Sequence, residues 1–163
     1  MYLVDGNNVM GQRVGWHRDK PAARRRLLDD LVRLARVKGA RLAVVFDGAP
    51  EANFPDGSSY RGVKVFYARH GSDADARIIE IAERERNRKG LIVITSDAAL
   101  TARVRACGVR VIRAGEFRRQ LEAIPAGQDE SEAPTVRDQE MGEWLRYFGV
   151  AAEEADEETD NDD

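Results

Sequence analysis

The chain is nearly free of cysteine: Cys107 stands alone among 163 residues. A single thiol allows no internal disulfide and no cysteine-based zinc site, and it suits a cytoplasmic protein. Long apolar runs are missing too. No stretch approaches the roughly 18 residues that a membrane-spanning helix needs. The N-terminus has no basic segment leading into an apolar one, so no signal peptide is expected. Histidine is scarce. His17 and His70 are too few and too far apart to suggest a zinc cage or a catalytic triad. Neither G-x-G-x-x-G nor a P-loop occurs, so the phosphate-cradling element of a nucleotide-binding sheet is absent.

What is present is a globular composition with its charges set apart. Hydrophobic residues make up 42% of the chain, and the net charge is −3. Residues 151–163 hold eight acids and no base, and residues 129–150 hold six acids and two arginines. Residues 1–128 therefore keep 15 acids against 24 lysines and arginines, a net of +9. A basic body with an acidic tail points to a polyanionic partner. The plainer alternative is a set of solvated arginine-rich helix faces.

Strand-length apolar runs alternate with helical patterns along residues 1–124. "YLVD" reads as a first strand, "RLAVVF" as a second, "GVKVFYA" as a third, "LIVITS" as a fourth and "VRVI" as a fifth. Between them, "PAARRRLLDDLVRLARVKG" has Pro21 for a first helical turn, Gly39 for a stop, and Leu27, Leu28, Leu31 and Leu34 on one face. Further helices are expected at "SDADARIIEIAERERNRKG", "DAALTARVRAC" and "GEFRRQLEAI". This order predicts an α/β domain with a mostly parallel sheet covered on both faces. "DGAPEANFPDGSSYR" is expected to be a long loop, of a length often given to function. Residues 125–135 read as a linker, 136–150 as a short amphipathic helix, and 151–163 as a disordered acidic tail.

The strand ends carry acids. Asp5 closes the first strand, Asp47 the second, and Ser96 with Asp97 the fourth, while Asp73 and Asp75 open the helix after the third. In an open parallel sheet these ends share one edge, where ligands bind. Each acid has a local explanation: Asp47-Gly48 as a turn pair, Asp97 as a helix cap, Ser72 with Asp75 as a capping box. As a set they suggest more. Clustered carboxylates repel unless a cation intervenes, and all-oxygen ligands suit Mg²⁺ or Mn²⁺. Such an ion can drive phosphodiester hydrolysis, with a basic surround holding the rest of the polyanion.

"YLVDGNNV", "VVFDG", "SDADARI" and "VITSD", in this order, resemble the NYN domain of the PIN-like nuclease superfamily, and within it the YacP-like bacterial branch. The resemblance covers residues 1–124. It implies a three-layer PIN-like domain with a five-stranded sheet of order 3-2-1-4-5. It also implies endoribonuclease activity with one or two Mg²⁺ or Mn²⁺ ions, giving a 5′-phosphate and a 3′-hydroxyl. Asp5, Asp47, Asp75 and Asp97 match the acidic positions that bind metal and catalyse, with Asn8, Ser96 and Asp73 in support. Ala76 departs from the branch, which often has Glu there. That departure keeps open an RNA- or ribosome-binding protein with little catalysis.

Arg13, Arg18, Arg61, Lys64, Arg69 and Arg77 lie near the active edge in this reading and are expected to contact RNA phosphates. Arg24, Arg25 and Arg26 suit a solvated face equally well. Phe54 and Tyr60 suit either base stacking or packing within the loop. Gly6 and Gly48 are expected to let the substrate approach the backbone. The implied partner is RNA, including mRNA presented on the ribosome for decay, with no membrane. A haloacid-dehalogenase-type phosphatase is disfavoured, because Asn7 stands where that chemistry needs a second Asp.

Overall fold

A computed structural model describes residues 1–125 of the chain. Apart from Pro125, the expected linker, C-terminal helix and acidic tail lie outside the described residues. The strands are β1 (Tyr2–Asp5), β2 (Leu42–Phe46), β3 (Ser58–Tyr60), β4 (Val63–Tyr67), β5 (Ile92–Ile94) and β6 (Arg110–Ile112). The helices are α1 (Gly6–Met10), α2 (Lys20–Lys38), α3 (Ala74–Arg84), α4 (Ala98–Ala106) and α5 (Ala114–Glu122). One sheet runs in the order β3-β4-β2-β1-β5-β6, and every pairing is parallel except β3 with β4. The five parallel strands thus follow the expected order 3-2-1-4-5. The sixth is an addition from within the expected loop, where Ser58–Tyr60 folds back antiparallel on Val63–Val65. A three-residue polar strand carries too little apolar alternation to announce itself.

Alternation along the strands feeds two cores. Val4, Leu42, Val44, Phe46, Val63, Val65 and Tyr67 face Leu27, Leu28, Leu31, Phe117 and Leu121 of α2 and α5. Leu3, Ala43, Val45, Phe66 and Val93 face Ile78, Ile81, Leu100 and Val104 of α3 and α4. The sheet is therefore the middle of three layers, and all of β2 and β4 is buried. Cys107 packs at the margin of the second core.

Helix α2 begins as its sequence predicts. The Asp19 carboxylate accepts the Ala22 N–H, a proline occupies the first turn, and Gly39 ends the helix in the left-handed region at φ 59°. Helix α3 differs. Asp73 is its cap, accepting the Ala76 N–H at 2.8 Å, so the Ser72–Asp75 capping box does not form. Immediately after Asp5 the chain enters α1. A Cβ on Gly6 would lie 2.5 Å from the Phe46 ring. The glycine thus serves the packing of α1 on β2, not the approach of a substrate.

Candidate active site

Parallel pairing brings the strand ends to one rim. Val4 of β1 lies level with Val44 of β2 and Ile94 of β5, so Asp5 emerges between the segments carrying Asp47 and Thr95-Ser96-Asp97. The N-terminus of α3 reaches the same rim, because the Asp47 carboxylate accepts the Ala74 N–H at 2.9 Å.

Two asparagines hold this rim together. Asn7 Oδ1 accepts the Asp47 N–H at 3.0 Å, and Asn8 Oδ1 accepts the Ser96 N–H at 2.7 Å. Adjacent residues of α1 thereby fasten the chain beyond β2 on one side and beyond β5 on the other. Asn8 also supplies its backbone N–H to Asp5. Ser96 Oγ accepts the Ala114 N–H at 2.9 Å, which ties the rim to the start of α5. Asn7 and Thr95 are the bracing positions of the rim that sequence reasoning missed. The Thr95 hydroxyl donates to Asp5 Oδ2 at 3.0 Å and accepts the Asp97 N–H at 3.2 Å. The signal for Thr95 was its place in "TSD", directly before the two residues singled out.

The carboxylates have uneven surroundings. Asp5 is 4% exposed, and its pKa is pushed up to about 6. Burial is the main cause. Repulsion from Asp75 and Asp47 adds to it, and the Thr95 and Asn8 hydrogen bonds oppose it. The Asp75 carboxyl is also raised, by burial first and then by Asp97, Asp73 and Asp47, with Arg103 opposing. Asp75 has no side-chain hydrogen bond or ion pair among the described residues. Asp97 spends one oxygen on the Leu100 N–H at 2.8 Å, capping α4. Asp5 thus feels the charge of Asp75 and Asp47, and Asp75 that of Asp97, Asp47 and the more exposed Asp73.

Among the described residues, no three His, Cys, Asp or Glu side chains stand close enough to form a metal cage. The donor chemistry nevertheless fits a hard divalent ion. The rim's carboxylates offer oxygens, one of them is buried, another has no partner, and burial with their repulsion added raises two pKa values.

The expected RNA contacts divide. Lys64 is 6% exposed within β4, and burial lowers its pKa. Arg77 is 5% exposed, paired with Asp56 at 3.4 Å and laid over Phe66. Neither presents a cation to an RNA surface, so both expectations are corrected. Arg69 is exposed but doubly hydrogen-bonded to Glu80 at 2.8 and 2.9 Å. Arg61 is exposed in the turn between β3 and β4, with φ 48°. Arg13 and Arg18 line a cavity beside α2. Arg24 is no solvated residue: it is 9% exposed and donates to the Asp47 carbonyl and to Glu51. Phe54 and Tyr60 pack edge to face at 5.3 Å, and Tyr60 donates its hydroxyl to Asp29. Packing within the loop therefore describes them better than stacking on bases.

No helix among the described residues is long and apolar enough to cross a membrane. No curated protein matches the chain. Two crystal structures of Rae1 (YacP) from Bacillus subtilis resemble it. A tryptophan-to-leucine variant is 27% identical with a TM-score of 0.63, covering 76% of this chain and 74% of that one. The second structure is 23% identical with a TM-score of 0.61, covering 92% of this chain and 82% of that one, and supports the fold alone. A family model for the YacP-like NYN domain matches residues 2–146, and with the sheet order and the strand-end acids already described, the chain belongs to that family.

Proposed function

We propose that the chain is a metal-dependent endoribonuclease whose reaction centre is the carboxylate rim. Membership in a family of PIN-like nucleases supports ribonuclease-type chemistry on RNA. The observation that carries the finer reading is the company Asp5 keeps: its buried carboxyl, pushed up to about 6, is faced by other carboxylates. Asp5, Asp47, Asp75 and Asp97 would hold one or two Mg²⁺ or Mn²⁺ ions, which when bound activate water and offset charge on the phosphodiester.

The chain's own residues orient this centre. Thr95 aims Asp5 and fixes the Asp97 backbone, while Asn7 and Asn8 keep the flanking strand ends in register with β1. Asp73 holds the first turn of α3, which carries Asp75. The products would be a 5′-phosphate and a 3′-hydroxyl, and the setting cytoplasmic mRNA decay, with the ribosome as a presenting surface.

The test is cleavage of labelled RNA by the purified chain with Mn²⁺. EDTA, Asp5→Asn and Asp97→Asn should each lower the rate by at least about a hundredfold. Cleavage that survives both EDTA and Asp97→Asn would refute the proposal. Ala76, and the lack of a closed cage among the described residues, favour a second reading, RNA or ribosome binding with little catalysis. RNA binding without cleavage, and without any Mn²⁺ bound in a titration, would select it.

A further inference from the structure

Away from the carboxylates, a cavity of about 210 Å³ opens between the segment after α1, the start of α2, and α5. Arg13, Trp16, Arg18, Arg26 and Arg118 line it, with Asp19 as its one acid. The Asp19 carboxylate is engaged by the Ala22 N–H at 3.1 Å. Arg18 and Arg26 are exposed, and their guanidinium groups have no hydrogen bond or ion pair among the described residues.

Arg118 is the informative member. It is 6% exposed and donates from Nη1 to Asp30 at 3.2 Å, yet its buried Nε makes no hydrogen bond and has only the Glu122 carboxylate at 4.0 Å. Its pKa is lowered by burial and then by Arg13, so the two guanidinium groups repel across this wall. An unsatisfied buried donor beside a second cation and two unpaired ones is a setting that an anion improves. Trp16 supplies a different surface. It is half-buried against the first core, and the Lys20 ammonium lies 5.9 Å from the centre of its ring. Val14 at the lip is fully exposed. Cations beside an aromatic ring suit a phosphate joined to a base better than a phosphate alone.

Arg118 also lines a second depression with Ser96, Arg113 and Arg119, and with the acids Glu116 and Glu122. Ser96 is the neighbour of Asp97, so this depression, with its arginines and its two acids, leads from the rim to the wall that Arg118 shares with the cavity. We propose that this cavity takes one nucleotide of single-stranded RNA outside the cleavage centre, its phosphate on Arg18, Arg26 and Arg118 and its base against Trp16. The proposal rests on RNA being the substrate, and not on the chemistry of cleavage.

The experiment uses the full chain carrying Asp97→Asn in EDTA, so that binding is read without turnover. Trp144→Phe leaves Trp16 as the sole tryptophan fluorophore. Titration with a short oligouridylate should change Trp16 emission saturably. Arg18→Ala with Arg26→Ala should weaken binding about tenfold or more and flatten its salt dependence by one or two phosphate contacts, roughly 0.7 in log–log slope for each on a single strand. Both arginines are exposed, so the pair should fold normally, and a circular dichroism melt checks this. Unchanged emission, or unchanged affinity in the double variant, would overturn the proposal. Equal response to inorganic phosphate or to uridine monophosphate would overturn its RNA part. Cleavage by the otherwise unaltered chain is measured separately. Cleavage with binding insensitive to the arginines sinks only the cavity, whereas arginine-dependent binding without cleavage sinks only the nuclease.

Discussion

Two buried aspartates mark two regions of this domain, and their surroundings are opposite. Asp30, on α2, is 6% exposed and lies among Arg118 at 3.2 Å, Arg13 at 3.9 Å, and Arg33. Asp5, at the end of β1, is 4% exposed and has a threonine hydroxyl, a backbone amide and other carboxylates around it. Burial penalises both charges equally in principle. In one region guanidinium groups compensate that penalty and lock α2 to α5. In the other only a hydroxyl and a backbone amide offset it, and no guanidinium does. A buried carboxylate with its own arginines explains itself as structure; one held among its like needs a cation from outside, and this contrast separates scaffold from reaction centre more sharply than burial alone.

The largest expected effect tests the scaffold half. Asp30→Ala removes the carboxylate from Arg118, which is itself buried, and leaves that cation only the half-exposed Glu122 carboxylate at 4.0 Å. Breaking a buried ion pair from one side costs about 3–5 kcal/mol. Urea unfolding at neutral pH should show a loss of this order, with RNA cleavage per folded molecule retained. A loss under about 1 kcal/mol would mean that solvent already screens the Asp30 network, and the contrast with Asp5 would collapse.

The opposite sign is expected at the rim. The folded pKa of Asp5 is raised from 3.8 to about 6. Below pH 3.8 the group is protonated in both states. Between 3.8 and about 6 the unfolded chain releases a proton that the folded chain retains, so stability falls as pH rises. Above about 6 that loss is complete. Asp5→Asn in EDTA should therefore stabilise the domain at pH 7, by on the order of 1–3 kcal/mol, and bring no gain below pH 4. The same substitution should abolish cleavage. A variant no more stable than the parent at pH 7 would show that Asp5 is adequately solvated, and would remove the reason for invoking a cation.

The sheet and the acids at its edge were legible because both follow local rules. Apolar runs of strand length marked β1, β2, β4, β5 and β6, and a carboxylate directly after such a run has to emerge at the strand's end. Lys64 and Arg77 misled because a charged residue reads as exposed. Lys64 occupies the core-facing parity of a strand, and Arg77 has Phe66 and Asp56 to lie against, neither of which a linear pattern reveals. Asn7 and Asn8 were visible as polar residues, but not as a brace, since their acceptor oxygens meet amides 40 and 88 residues away. Thr95 looked like the end of a strand, and only the placement of β5 beside β1 turned it into a partner for Asp5.

Thr95 also offers the finest adjustment of the comparison, because it is the neutral substitute for the arginines that Asp5 lacks. Its hydroxyl donates to Asp5 Oδ2 and so favours the ionised form against burial. Thr95→Val keeps the shape and removes that donor, together with the acceptor for the Asp97 N–H. The Asp5 pKa should rise further, and stability should fall by about 1 kcal/mol above pH 6, with a smaller loss below pH 4 where the carboxyl is protonated. The pH profile of cleavage should move upward in parallel, and Thr95→Ser should restore both. In the Asp5→Asn background the pH dependence of the loss should vanish, since no titrating carboxyl remains for the hydroxyl to favour. If that dependence persists without Asp5, the hydroxyl acts mainly on the Asp97 backbone, and the compensation of the rim must be sought in Asn8 instead.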